Sequence, residues 1–198
     1  MLGLPKSTEI SRQLPKKAIF QKFELKPAQR EHFDADISKM TIVNVISQST
    51  LPALQQGEIQ SIYVIEMALK KPTYDEKNIL MLCKLIPQKI LFAMHYEDEF
   101  QLAIYHTKLI SSSWTPEDAV ELSLLGTTTD TVWENLVKTI GGIEIEEGNT
   151  LSEQIAIDDD REKLRRQIET LEIKSRSEKQ PRKRLAMFEE LQKLKAQL

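Results

Sequence analysis

The sequence predicts an α+β fold: a mixed or antiparallel sheet with packed helices, followed by a C-terminal basic helical tail. Three observations lead there. Pro87 to Leu109 holds two apolar, aromatic-rich runs, Ile90–Tyr96 and Phe100–Leu109, separated by Glu97, Asp98 and Glu99. That is a β-hairpin with a charged tip. The elements before it run helix, strand, strand, helix, which is not the regular alternation of a doubly wound sheet. Beyond residue 150 the strand signals stop and helical spacing takes over. The expected organisation is a globular domain over 1–145 and a helical tail over 151–198.

In chain order, Pro5 and Pro15 limit the first 25 residues to short helices. Pro27 suits a first helical turn. Phe33, Ile37 and Met40, at spacings of four and three, predict one helical face. Thr41–Ile46 is β-branched and reads as a strand. Ile59–Leu69 reads as a second strand. Tyr63, Ile65, Met67 and Leu69 alternate there with Ile62, Val64, Glu66 and Ala68, so both faces are largely apolar and a central position is expected. Thr73 and Glu76 have capping-box spacing before a helix that carries Ile79, Leu82 and Ile86. The hairpin follows, and a turn symmetric about Asp98 would set His95 opposite Gln101. Ser111–Trp114 reads as a turn and Val120–Leu125 as a short strand. Thr127–Asp130 caps a helix with the stripe Val132, Trp133, Leu136, Val137 and Ile140, which Gly141 and Gly142 end.

The tail reads as a long helix from Leu151 to Ser175, with Leu164, Ile168 and Leu171 near a 3.5-residue period. Pro181 breaks it. Arg182–Leu198 restarts it, with Leu185, Phe188, Leu191, Leu194 and Leu198 assigned to one face. The two helices either fold back as an αα-hairpin or pair as a coiled coil with another chain.

Composition and charge narrow the function classes. The chain has 198 residues, is 40% hydrophobic and 29% charged, and carries a net charge of −3. Residues 161–198 hold twelve Lys/Arg against six Asp/Glu, so the tail is +6 and the preceding 160 residues are −9. An acidic body with a basic tail points to two surfaces with different partners. No apolar run is long enough to span a membrane. The start of the chain lacks the pattern of a secretory signal. The single cysteine, Cys83, excludes an intrachain disulfide and fits a reducing compartment, so the cytoplasm is expected. Phosphate-binding glycine loops and the Gly-x-Ser-x-Gly elbow are absent from the sequence, and no cofactor is expected.

Two sets of residues stand out chemically. Lys174, Arg176, Lys179, Arg182, Lys183 and Arg184 lie within eleven residues, opposed only by Glu178. At a helix–helix loop they would form a compact positive knob. Nucleic acid phosphates or an acidic protein surface would suit it, and so would solvent alone. The second set is Glu66 with Asp34, Asp36 and Lys70. Nucleases of the restriction type place an acid and then Glu-x-Lys on adjacent strands to hold a divalent cation. Here Ala68 occupies the lysine position, so the spacing departs from that pattern. His32, His95, His106 and Cys83 lack metal-ligand spacing, and Cys83 reads as an inert packed thiol.

Four segments carry a family resemblance: LPKSTEISRQLPKKAIFQKF, REHFDADISKMTIVNVIS, KLIPQKILFAMHYEDEFQLAIYHTKL and RSEKQPRKRLAMFEELQKLKAQL. They resemble bacterial and archaeal proteins of the domain of unknown function 4391, over nearly the whole chain. None of the segments is a catalytic motif, so no active-site residue carries over. The resemblance implies a setting: genes beside helicases, site-specific DNA methyltransferases and restriction subunits. The expected role is therefore a non-catalytic accessory or interaction subunit of a DNA restriction or phage-defence system. It would dock on a helicase or methyltransferase and touch nucleic acid through its tail. The alternative is a divergent metal-dependent nuclease using Glu66 and nearby acids.

Overall fold

The structure, a computed structural model, describes residues 2–198. The chain divides into two compact units, Met1–Ile143 and Glu144–Leu198.

The first unit is built on a mixed sheet of strands β1 (Glu9–Gln13), β2 (Ile37–Ile46), β3 (Ile62–Leu69), β4 (Lys89–Tyr96), β5 (Glu99–Tyr105) and β6 (Leu109–Ser111), in that spatial order. A two-residue strand β7 (Thr115–Pro116) pairs with β5. Every pairing is antiparallel except β3 with β4. Parallel neighbours need a crossover, and helix α3 (Glu76–Leu85) supplies it. Helices α1 (Lys16–Lys22), α2 (Pro27–Asp36) and α3 bring Ile19, Phe33, Ile79 and Leu82 against Ile65, Met67, Phe92, Met94 and Ala103 of the central strands. The alternate strand residues Val64, Leu91, Leu102 and Ile104 are also buried. Both faces of the sheet centre are thus covered, as the two apolar faces of β3 require. Helix α4 (Thr129–Gly141) packs beside β5 and β6 with Val132, Trp133, Leu136, Val137 and Ile140 all buried.

Several boundaries differ from the expectation, each for a local reason. Ile37 and Met40 belong to β2 and not to the preceding helix. Both face the core although they are three apart, because the β2–β3 register shifts between Ile37 and Lys39. A β-bulge inserts one residue and so brings a three-residue spacing onto one face. Strand β3 starts at Ile62 and not at Ile59. The preceding backbone is held elsewhere: the Asp130 carboxylate accepts the Glu58 and Ile59 N–H groups, each at 2.8 Å. β1 has five exposed residues and no apolar alternation to betray it. Val120–Leu125 is irregular and not a strand. The cap of α3 is Asp75, whose side chain accepts from the Lys77 N–H, and not Thr73.

The hairpin forms, one residue tighter than expected. Tyr96 pairs with Glu99, leaving a two-residue turn in which Glu97 takes φ 53°. His95 therefore faces Phe100, and their rings stack at 5.4 Å between centroids.

Thr128 caps α4 by accepting from the Thr131 N–H, and Gly142 ends the helix at φ 58°. A Cβ placed on Gly142 would meet nothing within 4 Å. Gly142→Ala is thus expected to cost only the left-handed backbone term, about 1–2 kcal/mol in a chemical-denaturation curve. A loss well above that range would show that the glycine has a packing role.

The second unit is an αα-hairpin of α5 (Leu151–Ser177) and α6 (Pro181–Lys195). Thr150 and Glu153 form a capping box at the start of α5. Pro181 opens α6, where its missing N–H has no helical partner to lose. Ile168 and Leu191 are buried, with Leu164, Leu171, Met187 and Leu194 partly so. The seam thus uses Met187, Leu191 and Leu194 of α6. Leu185 and Phe188 remain 60% and 53% exposed, contrary to their assignment to one face with Leu191. Steps of three fall short of the 3.6-residue turn, so a row spaced by threes winds about 60° per step around the helix.

Candidate functional site

The six basic residues singled out in the tail gather at the closed end of the αα-hairpin. Lys174 and Arg176 lie in the last turn of α5, Lys179 in the loop, and Arg182, Lys183 and Arg184 in the first turn of α6. All six are exposed. Arg176 comes within 3.8 Å of Glu172. None of the other five has an ion-pair partner among the described residues. Glu178, the acid in their midst, accepts the Gln180 N–H at 2.8 Å and so serves the loop backbone.

Elsewhere in the hairpin the pattern is different. Arg161 pairs with Glu146 at 2.6 Å, Lys163 with Asp159 at 2.7 Å and Lys195 with Glu172 at 2.6 Å, and Arg166 meets Glu162. The hydrogen bond and charge of Lys195 hold the Glu172 carboxyl below its ordinary value. At the tip, three cations also stand where the helix dipole is positive, with no acid in the first turn of α6. Each such placement costs roughly 0.3–1 kcal/mol at a surface site. The tip therefore keeps its positive charge at some expense to the fold.

The acids of the nuclease pattern do not assemble. Asp34 pairs with Lys16 at 2.6 Å. Glu66 is half-exposed on β3, with its Oε1 3.6 Å from His95 Nε2. Thr41 pairs with Glu66 and Ile37 with Leu69, so Asp36 sits about 10 Å or more along the strands from Glu66. Among the described residues no group of three or more His, Cys, Asp or Glu could hold a metal ion.

Asp36 is fully buried and holds a junction together. Its Oδ2 accepts from the Asp75 N–H at 2.9 Å and from Asn78 Nδ2 at 3.0 Å. Oδ1 faces Lys71 Nζ at 2.8 Å as an ion pair, with no other partner. Its backbone carbonyl accepts the Lys70 N–H at 2.8 Å. Burial pushes this carboxyl up, but Lys71, the Asp75 N–H and His32 together hold it below its ordinary value.

The remaining polar candidates have structural partners. Trp133 Nε1 donates to His106 Nδ1 at 3.1 Å, and burial with Lys89 nearby lowers the histidine's pKa. Lys89 Nζ lies 5.3 Å from the Trp133 ring centre. Burial pushes the Cys83 thiol up to about 11, far from a reactive thiolate. Among the described residues no helix is long and apolar enough to cross a membrane.

One feature of the first unit had no sequence signal. The β2–β3 register shifts again between Ile42 and Asn44. Val43 and Asn44 both line a cleft of 220 Å³ with Glu9 and Glu66. Its residues come from separate segments, so no local spacing marks it.

A family model described as "Domain of unknown function (DUF4391)" matches residues 2–198. No curated protein and no solved structure matches the chain.

Proposed function

The chain belongs to the family described as domain of unknown function DUF4391, and on that premise we propose that it is a non-catalytic accessory subunit of a DNA restriction or phage-defence system. It docks on a helicase or methyltransferase partner, and the tip of its αα-hairpin reaches nucleic acid. The observation that carries this reading is the unpaired charge of the tip. Lys174, Lys179, Arg182, Lys183 and Arg184 have no ion-pair partner among the described residues, while four cations elsewhere in the same hairpin have one. Cations left free at a helix start are poor for local stability and well suited to phosphate, where they release condensed counterions. Leu185 and Phe188, exposed just beyond the tip, add apolar surface of the kind a protein partner covers.

The test is reconstitution. The chain is mixed with the purified products of its neighbouring genes and run on size exclusion, with and without a DNA duplex. Co-elution with one of them is expected, and a Leu185→Asp, Phe188→Asp variant should weaken it. Separate elution, with the partners fully active when the chain is left out, would remove the proposal.

A further inference from the structure

The αα-hairpin is electrically divided along its length. Residues 144–162 hold eight Asp/Glu against one Arg, Arg161, whereas residues 174–184 hold six Lys/Arg against Glu178. The first stretch leads into α5 and forms its opening turns; the second is the tip. α6 has 15 residues and α5 has 27. Joined at the tip, they leave about 18 Å of α5 extending past the end of α6. Asp160 and Glu162 lie on that extension, and both are exposed. They meet Lys163 and Arg166, but these local pairs leave the stretch strongly acidic.

Apolar side chains are exposed at both ends of α6. Leu185 and Phe188 stand beside the tip, and Ile173 of α5, near the same end, is 62% exposed. Leu198, 49% exposed, follows the last turn of α6. The folded hairpin thus carries a positive and a negative end, each with apolar surface beside or near it.

We propose that this surface is covered by a second copy of the chain, the two hairpins packing side by side and antiparallel about a twofold axis. The tip of each copy lies along the acidic opening of the other's α5. Arg182, Lys183 and Arg184 then face Asp160 and Glu162, and the contact occurs twice. Leu185 and Phe188 of each copy come toward the Leu198 end of the other's α6. A parallel pair would set tip against tip and acid against acid, which like-charge repulsion opposes. An unrelated partner would need both charge signs and apolar surface at one particular separation. A twofold axis supplies that match by construction, because both copies carry the same separation. The dimer is the state of the chain by itself and does not rest on the accessory-subunit reading. Nucleic acid or another protein would compete with the second copy for the tip.

The experiment is sedimentation equilibrium of the full chain at low and at high salt. A dimer is expected at low salt, weakened about tenfold or more at high salt, since exposed charge pairs are screened. Two charge-reversed chains supply the decisive arm: one with Arg182→Glu, Lys183→Glu and Arg184→Glu, the other with Asp160→Lys and Glu162→Lys. Each alone should be monomeric, because it sets like charges together. An equimolar mixture should restore the dimer, because both contacts then join opposite charges. Circular dichroism checks that each chain folds. Leu185→Asp with Phe188→Asp should also give a monomer. A monomeric wild type at low salt would overturn the proposal, and so would a mixture of the two folded charge variants that stays monomeric. A dimer that survives either charge reversal alone, or the Leu185 and Phe188 changes, would overturn it as well. None of these outcomes bears on co-elution with the neighbouring gene products, so the two readings fail separately.

Discussion

Asp36→Ala is expected to lower the unfolding free energy by about 3 kcal/mol at neutral pH. The substitution strips the Asp75 N–H and the Asn78 amide of their acceptor, and each donor left unsatisfied costs roughly 1–3 kcal/mol. Lys71 is 46% exposed and can turn to solvent, which keeps the total below that of a fully buried pair. Asp36→Asn keeps an acceptor and should lose less, about 1–2 kcal/mol. The pH dependence has a defined sign. The folded carboxyl titrates below its unfolded value, so its stabilisation is complete above an unfolded pKa of about 4. It disappears as pH falls through the folded value. The stability gap between wild type and Asp36→Asn should persist from neutral pH down to about pH 5 and narrow below about pH 4. Urea titrations at several pH values measure it. A gap that stays constant into acid would mean that the charge of Asp36 contributes nothing.

The second large effect concerns the hairpin tip. With Arg182, Lys183 and Arg184 all changed to Gln, affinity for duplex DNA should fall and its salt dependence should flatten. Each phosphate contact contributes about 0.9 to the slope of log K against log salt. Losing all three contacts should therefore reduce the slope by roughly 2.7. The variant should be folded and slightly more stable, because three cations leave a positive helix terminus. Fluorescence anisotropy over a salt series reads the slope directly. An unchanged slope would place the contact elsewhere. No affinity even at low salt would leave an acidic protein surface as the target of the tip. Arg161, Lys163 and Arg166 already have acidic partners, so changing them should alter the slope less.

The sequence carried the strands and helices whose periodicity is simple. The apolar stripe of α4 is buried at every expected position, and β3 is a central strand. It carried less where the chain departs from regular period. Ile37 and Met40 mimic a helical face because a bulge compresses strand alternation into a spacing of three. β1 pairs through its backbone and shows five exposed side chains, so no hydrophobic pattern marks it. The role of Asp130 depends on residues some seventy positions away. The basic tip was legible because its six residues fall within eleven positions of one another. That five of the six have no ion-pair partner among the described residues was not, since pairing depends on which acids each helix face presents. The cleft was invisible for a related reason: Glu9, Asn44 and Glu66 meet only once the sheet has formed.

The two irregularities of β2 also bear on how this strand can change by insertion or deletion. A bulge offsets the inside-outside phase of the residues on either side of it. Between Ile37 and Asn44 the strand passes through two such offsets. Deleting one residue at Val43 would restore a regular ladder locally and turn either Ile42 or Asn44 toward the wrong side of the sheet. Removing one at each offset would leave the flanking segments in phase. Compensated pairs of length changes should thus be tolerated in β2 far better than single ones.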